Sequence, residues 1–340
     1  MRNVFAILLS VLMLSTPAAA GDGRFIAART DALDDRFFQF IEPGRKIEVL
    51  APEHEFGWAE GPIWVTQLNS LLLSDVAADT IYQWSAEAGL SIYLRPSGHA
   101  QDDSGHAWRG SNGLALDQQG KLVLAQQGNR TLSRMLAPLN QPAANYQVLA
   151  QRYQGMKINS PNDLIVHSSG DIYFTDPPYG LSGFENSPDR ELDFFGVFRL
   201  SPEGRLSAID TTLAKPNGIA LSPDQQTLFV SNSAPDGPHI RAIALDSDGS
   251  PLSSRLFFDA SSTLADGPGS TDGMAMHASG YLFISIADGL ALLSPQGELV
   301  GTIALGQVTN LAFDDAFSYL YITSPQKLFR LAINPLVTEN

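Results

Sequence analysis

The chain repeats one short pattern six times, and every copy opens with a residue that carries a side-chain oxygen. The six opening residues lie 38 to 55 residues apart and are Glu60, Asn112, Asn162, Asn217, Asp272 and Asn310. Each is followed by an apolar run, a polar turn and a second apolar run, as in NGLALDQQGKLVLA from Asn112. Repeats of this length built from paired short strands predict a β-propeller or another repeat array.

The opening residues share one register within the repeat, and this register predicts where their side chains lie. Equivalent positions of successive propeller blades face a common central axis. Carboxylate and carboxamide oxygens that converge there form the kind of site that binds a hard cation. The sequence therefore predicts a cation site on the axis of an all-β ring.

Short β-type runs, broken by Gly, Pro, Asp, Asn and Ser, begin near Ile47 and continue to the end of the chain. The last repeat shows only three strands, so we expect KIEVL at 46–50 to supply its fourth strand and close the ring. Closure would remove the exposed sheet edges that favour aggregation. We predict one propeller domain over 47–340, preceded by an arm over 21–46 that holds a short helix or irregular structure.

Residues 1–20 are predicted to be a cleaved signal peptide. Arg2 supplies a positive charge, residues 4–14 form an apolar run, and residues 18–20 offer an A-x-A cleavage pattern. The run is shorter than the ~20 apolar residues that a membrane-spanning helix needs. We therefore expect an exported protein, periplasmic or secreted, whose mature form does not insert into a membrane.

The amino-acid composition and the missing motifs disfavour several kinds of site. The chain has no cysteine, and its six histidines show no HExxH spacing, so a zinc site with sulfur and nitrogen ligands is disfavoured. Its net charge of −15 comes without any cluster of Lys or Arg, which disfavours nucleic-acid binding. No G-x-S-x-G elbow is present to supply a serine nucleophile.

Three longer segments interrupt the repeats, over residues 97–110, 176–193 and 260–271. The first and third lead directly into an opening residue, so we expect them on the face that carries the cation. Loops at such a face determine substrate selectivity. Trp108 and Tyr179 lie in the first two segments and are predicted to stack on a sugar ring.

Several stretches together resemble the gluconolactonase / senescence-marker-protein (regucalcin) family. They are AEGPIW at 59–64, NGLALDQQGKLVLA at 112–125, SPNDLIVHSSGDIYFTDPPYG at 160–180, PNGIALSPD at 216–224 and DGMAMHASGYLFIS at 272–285. The resemblance covers residues 35–333, and SPND through YFTDPPYG is its most specific part.

The resemblance implies a six-bladed β-propeller that binds one divalent cation and hydrolyses a sugar-acid lactone. Position by position, it implies Glu60, Asn162, Asn217 and Asp272 as cation ligands, Asp272 as the acid/base group, and Asn112 as a residue near the substrate. Calcium is the expected ion, with magnesium, manganese and zinc as the other candidates. An oxygen-only ligand set is what calcium prefers, and four protein ligands leave positions open for water and substrate.

The mechanism that we expect has the cation polarise the lactone carbonyl while water attacks the carbonyl carbon. Asp272 would take the proton from the water and later help to deliver one to the ring oxygen. Two alternatives stay open. One is a related propeller esterase that acts on another cyclic or phosphorus ester, and the other is a non-catalytic propeller that binds sugar acids.

The sequence departs from the family pattern at one loop. Family members often carry a Cys-Glu-His-Gly-like stretch after the second opening motif, whereas this chain has Ala125-Gln126-Gln127-Gly128. A charged or titratable loop has therefore become neutral. This change bears on which lactone is the substrate and leaves the expected cation ligands untouched.

Overall fold

The computed structural model describes residues 24–98, 108–263 and 271–335. These residues form strands and four short 3-10 helices, at Asp35–Gln39, Thr66–Leu68, Phe184–Asn186 and Ala260–Thr263. The predicted signal peptide lies outside the described residues. In the part of the chain that is described, no helix is both long and apolar enough to span a membrane.

The arm before the first repeat contributes strands to the ring. It holds β1 (Phe25–Ala27), β2 (Arg29–Ala32) and β3 (Lys46–Leu50), with the first 3-10 helix between β2 and β3. Strand β3 is KIEVL, the segment that was predicted to close the ring.

Six antiparallel sheets follow the repeats, five built on four consecutive strands and the sixth on three. The first three blades contain β4 (Ala59–Val65), β5 (Ser70–Asp75), β6 (Thr80–Ser85) and β7 (Gly89–Leu94); β8 (Ser111–Leu116), β9 (Leu122–Gln126), β10 (Thr131–Met135) and β11 (Tyr146–Ala150); and, after the small hairpin β12 (Arg152–Tyr153) and β13 (Met156–Lys157), β14 (Leu164–Val166), β15 (Ile172–Asp176), β16 (Gly196–Leu200) and β17 (Leu206–Asp210).

The remaining blades repeat this order. They contain β18 (Pro216–Leu221), β19 (Thr227–Asn232), β20 (His239–Leu245) and β21 (Pro251–Asp259); β22 (Met274–Met276), β23 (Leu282–Ile286), β24 (Gly289–Leu293) and β25 (Leu299–Ala304); and β26 (Asn310–Phe313), β27 (Tyr319–Ser324) and β28 (Lys327–Ala332).

The sixth blade takes its fourth strand from the arm, as predicted. Strand β3 pairs antiparallel with β28, with Leu50 opposite Leu328 and Ile47 opposite Leu331. Strand β1 adds outside β3, and β2 adds outside β25 of the fifth blade. The fold is therefore an all-β, six-bladed propeller whose first and last sequence segments share one sheet.

Six apolar clusters fill the spaces between neighbouring blades, one for each pair. The cluster that joins the sixth blade to the first contains Leu50, Leu71 and Leu328. Between the fifth and sixth blades, Phe37 and Phe40 of the arm are fully buried. The hydrophobic core is therefore distributed around the ring, in the spaces between the blades.

Candidate functional site

Five of the six opening residues line one cavity of about 260 Å³ at one end of the central axis. We call it the upper cavity. Its wall consists of Trp58, Glu60, Val76, Trp108, Asn112, Gln127, Asn162, Tyr179, Phe184, Asn217 and Asp272. All seven site residues predicted from the sequence are among these eleven.

The register of the innermost strands brings the opening residues together. Glu60, Asn112 and Asn217 lie in the first residues of β4, β8 and β18, and Asn162 and Asp272 come just before β14 and β22. The glycine after an opening residue permits close approach to the next blade. A Cβ atom on Gly218 would lie 2.3 Å from the carbonyl oxygen of Asp272.

A polar side chain at the end of each of three second strands holds the segment that leads into an opening residue. The Asp75 carboxylate accepts hydrogen bonds from the backbone N–H groups of Gly57 and Trp58 at 2.9 and 3.0 Å. Asp176 accepts from the backbone N–H of Asn159 at 2.7 Å, and Asn232 accepts from that of Lys215 at 2.9 Å. These bonds fix the approach to Glu60, Asn162 and Asn217.

The two carboxylates of the upper cavity lie in an environment that disfavours negative charge. Burial, followed by repulsion from Asp272 and Asp163, raises the pKa of Glu60 well above its usual range. Burial raises the pKa of Asp272 to about 8, with repulsion from Asp163 adding to the effect. A hydrogen bond from the Asn217 side chain acts in the opposite direction on the pKa of Asp272.

No basic group among the eleven wall residues offsets these charges, since none of them is Lys, Arg or His. Asn112 Oδ1 is buried and has no hydrogen-bond partner among the described residues. The described ranges contain no cluster of three or more His, Cys, Asp or Glu side chains that could hold a metal ion. The donor set of two carboxylates and several carboxamides fits a hard cation better than zinc.

Gln127 is a wall residue that the sequence analysis noted only as part of a departing loop. Its side-chain oxygen accepts a hydrogen bond from Asn112 Nδ2 at 2.9 Å, which leaves Asn112 Oδ1 as the free acceptor. The sequence analysis also missed Trp58, Val76 and Phe184 as wall residues. Trp58 stands two residues before Glu60 in WAEGPIW, and this closeness was the one signal in the sequence that could have identified it as a wall residue.

Two of the inserted segments deliver aromatic rings to the upper cavity. Trp108 packs edge-on against Trp58, with ring centroids 5.0 Å apart. Tyr179 lines the cavity together with Asn217, and its loop is held by a hydrogen bond from the Gly180 N–H to Ser160 Oγ at 2.9 Å. Parts of the first and third inserts, 99–107 and 264–270, lie outside the described residues.

The sixth opening residue has a different role. Asn310 Nδ2 donates to Asp163 Oδ2 at 3.3 Å across the axis, and Asn310 Oδ1 accepts from the Leu311 N–H at 2.8 Å. Both side chains line a second cavity of about 630 Å³ at the other end of the inner strands, which we call the lower cavity. Its wall includes Trp64, His277 and Phe313.

Comparisons with known proteins agree with this architecture. A family model described as the SMP-30/Gluconolactonase/LRE-like region matches residues 58–326. A protein named gluconolactonase from Zymomonas mobilis subsp. mobilis is 39% identical over 303 residues, which cover 87% of this chain and 83% of the relative.

Solved structures are similar as well. A gluconolactonase structure from Xanthomonas campestris has 30% identity and a TM-score of 0.76, and the match covers 92% of this chain and 98% of that one. The calcium-binding protein regucalcin from Agrobacterium tumefaciens has 17% identity and a TM-score of 0.64, with 83% and 92% covered. At that identity the second likeness shows the fold alone.

Proposed function

This chain belongs to the SMP-30/gluconolactonase/LRE-like family, and we propose that it hydrolyses a sugar-acid lactone in the upper cavity with the help of a divalent cation. One observation carries the proposal. Two carboxylates and several carboxamides from five different blades line one small cavity whose eleven wall residues include no basic side chain. A cavity of this size suits a small cyclic ligand rather than a polymer.

Glu60, Asn162, Asn217 and Asp272 are the residues that would hold the cation. When bound, a divalent cation would supply Lewis-acid polarisation of the lactone carbonyl and compensation of negative charge. In Asn162 and Asn217 the side-chain carbonyl oxygen is the atom that would serve a cation, because an amide nitrogen is not a metal ligand. We propose calcium, because all four side chains supply oxygen.

Asp272 is the proposed acid/base group. Its carboxylate accepts a proton from the attacking water, whose oxygen forms the new bond to the carbonyl carbon. The bond between that carbon and the ring oxygen then breaks, and Asp272 returns the proton to the ring oxygen. The product is an open-chain hydroxy acid. Burial raises the pKa of Asp272 to about 8 without a cation, and a bound divalent cation would lower it, so that the carboxylate is free to accept the proton near neutral pH.

Other wall residues would orient the substrate. Asn112 Oδ1 is a buried acceptor without a partner, so a substrate hydroxyl that donates to it would satisfy its hydrogen-bonding capacity. Trp108 and Tyr179 offer ring surfaces that can pack against the apolar face of a sugar ring. Orientation of this kind places the lactone carbonyl next to the carboxylates.

A related cyclic ester with fewer hydroxyl groups is the second candidate substrate. Trp58, Val76, Trp108 and Phe184 contribute apolar surface to the wall of the upper cavity, and Gln127 is neutral where family members often carry a titratable residue. Such a wall favours a ligand with a larger apolar surface. The reaction and the proposed role of Asp272 are the same in both cases.

The proposal is tested by following acid release from a panel of aldonolactones and of less hydroxylated lactones. Each reaction is run with calcium, with chelator, and with calcium restored. We expect turnover that chelation removes and calcium restores, and the preferred lactone identifies the substrate class. Lactone or sugar-acid binding without turnover, under every cation tested, would instead identify a binding protein.

A further inference from the structure

Three buried hydroxyl groups connect neighbouring blades at the level of the upper cavity. They belong to Ser74, Thr175 and Ser231, which lie near the ends of the second strands β5, β15 and β19 and have 0% of their surface exposed. Each is followed by the residue that holds the approach segment of its own blade, in the pairs Ser-Asp, Thr-Asp and Ser-Asn. The three hydroxyl groups themselves form hydrogen bonds with the next blade.

Each hydroxyl donates to the backbone carbonyl of the next blade's opening residue. Ser74 Oγ donates to the Asn112 carbonyl at 2.7 Å, Thr175 Oγ1 to the Asn217 carbonyl at 2.6 Å, and Ser231 Oγ to the Asp272 carbonyl at 2.7 Å. The second blade lacks this bond because Ala125 occupies the corresponding position before Gln126.

Two of these bonds are parts of longer connections. Thr175 Oγ1 also accepts from the Asp163 N–H at 3.1 Å, so one hydroxyl joins the start of the third blade to Asn217. The Asp272 peptide is held on both sides, because its N–H donates to Ser285 Oγ at 2.6 Å while Ser231 binds its carbonyl. Both opening residues therefore have main chains fixed by neighbours outside their own strand.

We propose that Thr175 and Ser231 are positioning residues that set the distance between the cation ligands Asn217 and Asp272, and that Ser74 positions Asn112 for substrate. Consecutive ligands come from separate blades, so their spacing depends on how the blades are joined at this level. A buried hydrogen bond fixes that spacing directionally, whereas the apolar clusters between the blades do not. The inference rests on the proposed function, since it takes Asn217 and Asp272 as ligands.

The test measures cation binding rather than turnover, using terbium as a calcium substitute whose emission Trp58 and Trp108 can sensitise from the same cavity. The variants are T175V, which removes the hydroxyl at nearly constant shape, and S231A. We expect each to bind terbium about 3- to 10-fold more weakly, the loss expected for one net hydrogen bond. T175S keeps the hydroxyl and should bind like the unchanged protein.

Ser70 provides the matched control. It lies four residues before Ser74 on the same strand, is 1% exposed, and donates to the Leu68 carbonyl at 2.8 Å, far from the upper cavity. S70A should lose stability in urea as S74A does, with terbium affinity unchanged. S74A should raise the KM for lactone while terbium affinity stays near that of the unchanged protein, because Asn112 is not one of the four ligands.

The outcomes separate the two proposals. If the unchanged protein binds terbium and both T175V and S231A bind it equally well, the positioning role is overturned while the proposed function stands. If S70A weakens binding as much as S231A does, the effect is general destabilisation and the inference also fails. A protein that binds neither terbium nor calcium overturns the cation-dependent function together with this inference.

Discussion

The two cavities lie at opposite ends of the inner strands, and they differ in how their charged groups are satisfied. The lower cavity is the larger, at about 630 Å³ against about 260 Å³. Its inner carboxylate, Asp163, accepts hydrogen bonds from the Leu164 and Ile219 N–H groups and from the Asn310 side chain. Most of its other wall residues are apolar.

In the upper cavity, by contrast, no wall residue balances the negative charges. Glu60 and Asp272 share it without a basic wall residue, and Asn112 Oδ1 has no partner among the described residues. Unpaired charge in a low-dielectric site is costly, so it persists where function requires it. The comparison teaches that the state of the polar groups, rather than cavity volume, distinguishes the end of the propeller that we propose to be functional.

The largest effect is expected from D272N at the upper end, when it is compared with the loss of a carboxylate at the lower end. D272N should reduce kcat by about 100-fold or more, the usual contribution of a positioned acid/base group. D315N is the matched control, because Asp315 lines the lower cavity and accepts a hydrogen bond from Thr66 Oγ1 that an amide oxygen can also accept. Near-normal turnover by D272N would remove Asp272 from the mechanism, and an equal loss in D315N would remove the distinction between the two ends.

When the cation is removed, the stability of the protein should depend on the ionisation of the carboxyl groups in the upper cavity. A carboxyl whose pKa is raised in the folded state binds more protons folded than unfolded, so stability falls as pH rises toward the folded pKa. For Asp272 that window runs from about 4 to about 8. Chelated protein should therefore lose unfolding free energy as the pH rises, and calcium should stabilise it more at pH 8 than at pH 5.

The measurement is urea unfolding at several pH values, with chelator and with calcium. A cation at 100 times its Kd adds about 2.7 kcal/mol to the unfolding free energy. The E60Q/D272N double variant is the control, since its neutral side chains should remove the part of the pH slope that Glu60 and Asp272 contribute and most of the gain from calcium. Equal stabilisation of the double variant and the unchanged protein would place the cation somewhere other than the upper cavity.

The fold and five of the seven predicted cavity residues were accessible from the sequence because they follow from one repeated register, whereas Trp108 and Tyr179 were predicted from the inserted segments. Glu60, Asn112 and Asp272 could be aligned by the pattern after them, and a propeller brings equivalent positions to the axis. The closing strand β3 was also predicted, because the last repeat was one strand short. These inferences use periodicity alone and need no knowledge of side-chain packing.

Other features depend on tertiary contacts that leave no local pattern. Outer strands such as Leu206–Asp210 and Pro251–Asp259 give little signal in the sequence, since most of their residues are half-buried or exposed. The pairing of Asp163 with Asn310 joins residues 147 positions apart across the axis. Gln127 was noted only because the sequence departs from the family pattern there, and its hydrogen bond to Asn112 is seen only in the structure.

His277 should give the lower cavity a pH dependence of opposite sign. Its ring packs against Phe40, Phe313 and Phe317, and burial lowers its pKa to about 4. Nδ1 accepts from the Ser279 N–H at 3.2 Å, an interaction that only the unprotonated nitrogen can make. Stability from this group is therefore present above pH 6.5 and lost as the pH falls toward 4.

The check is acid-induced destabilisation of calcium-loaded protein between pH 6.5 and 4. H277N keeps a side-chain oxygen that can accept from Ser279, and its side chain does not titrate between pH 6.5 and 4. Its loss of unfolding free energy over this window should therefore be smaller by about 1–3 kcal/mol. H167N is the control, because His167 makes the same contact with the Ser169 N–H in an exposed turn. Identical slopes for H277N and the unchanged protein would contradict a buried neutral imidazole.

The smallest effect is expected from two tryptophans, one at each end of the axis. Trp108 belongs to the upper cavity, and Trp64 lines the lower cavity, stacked on Tyr321 at 5.5 Å. W108F keeps an aromatic ring but loses contact area, so the KM for lactone should rise about 3- to 10-fold with kcat nearly unchanged. W64F should leave KM unchanged, because its ring faces the end where charges are already satisfied. A KM that rises equally in both variants would mean that substrate affinity reports the stability of the ring and not contact with one cavity.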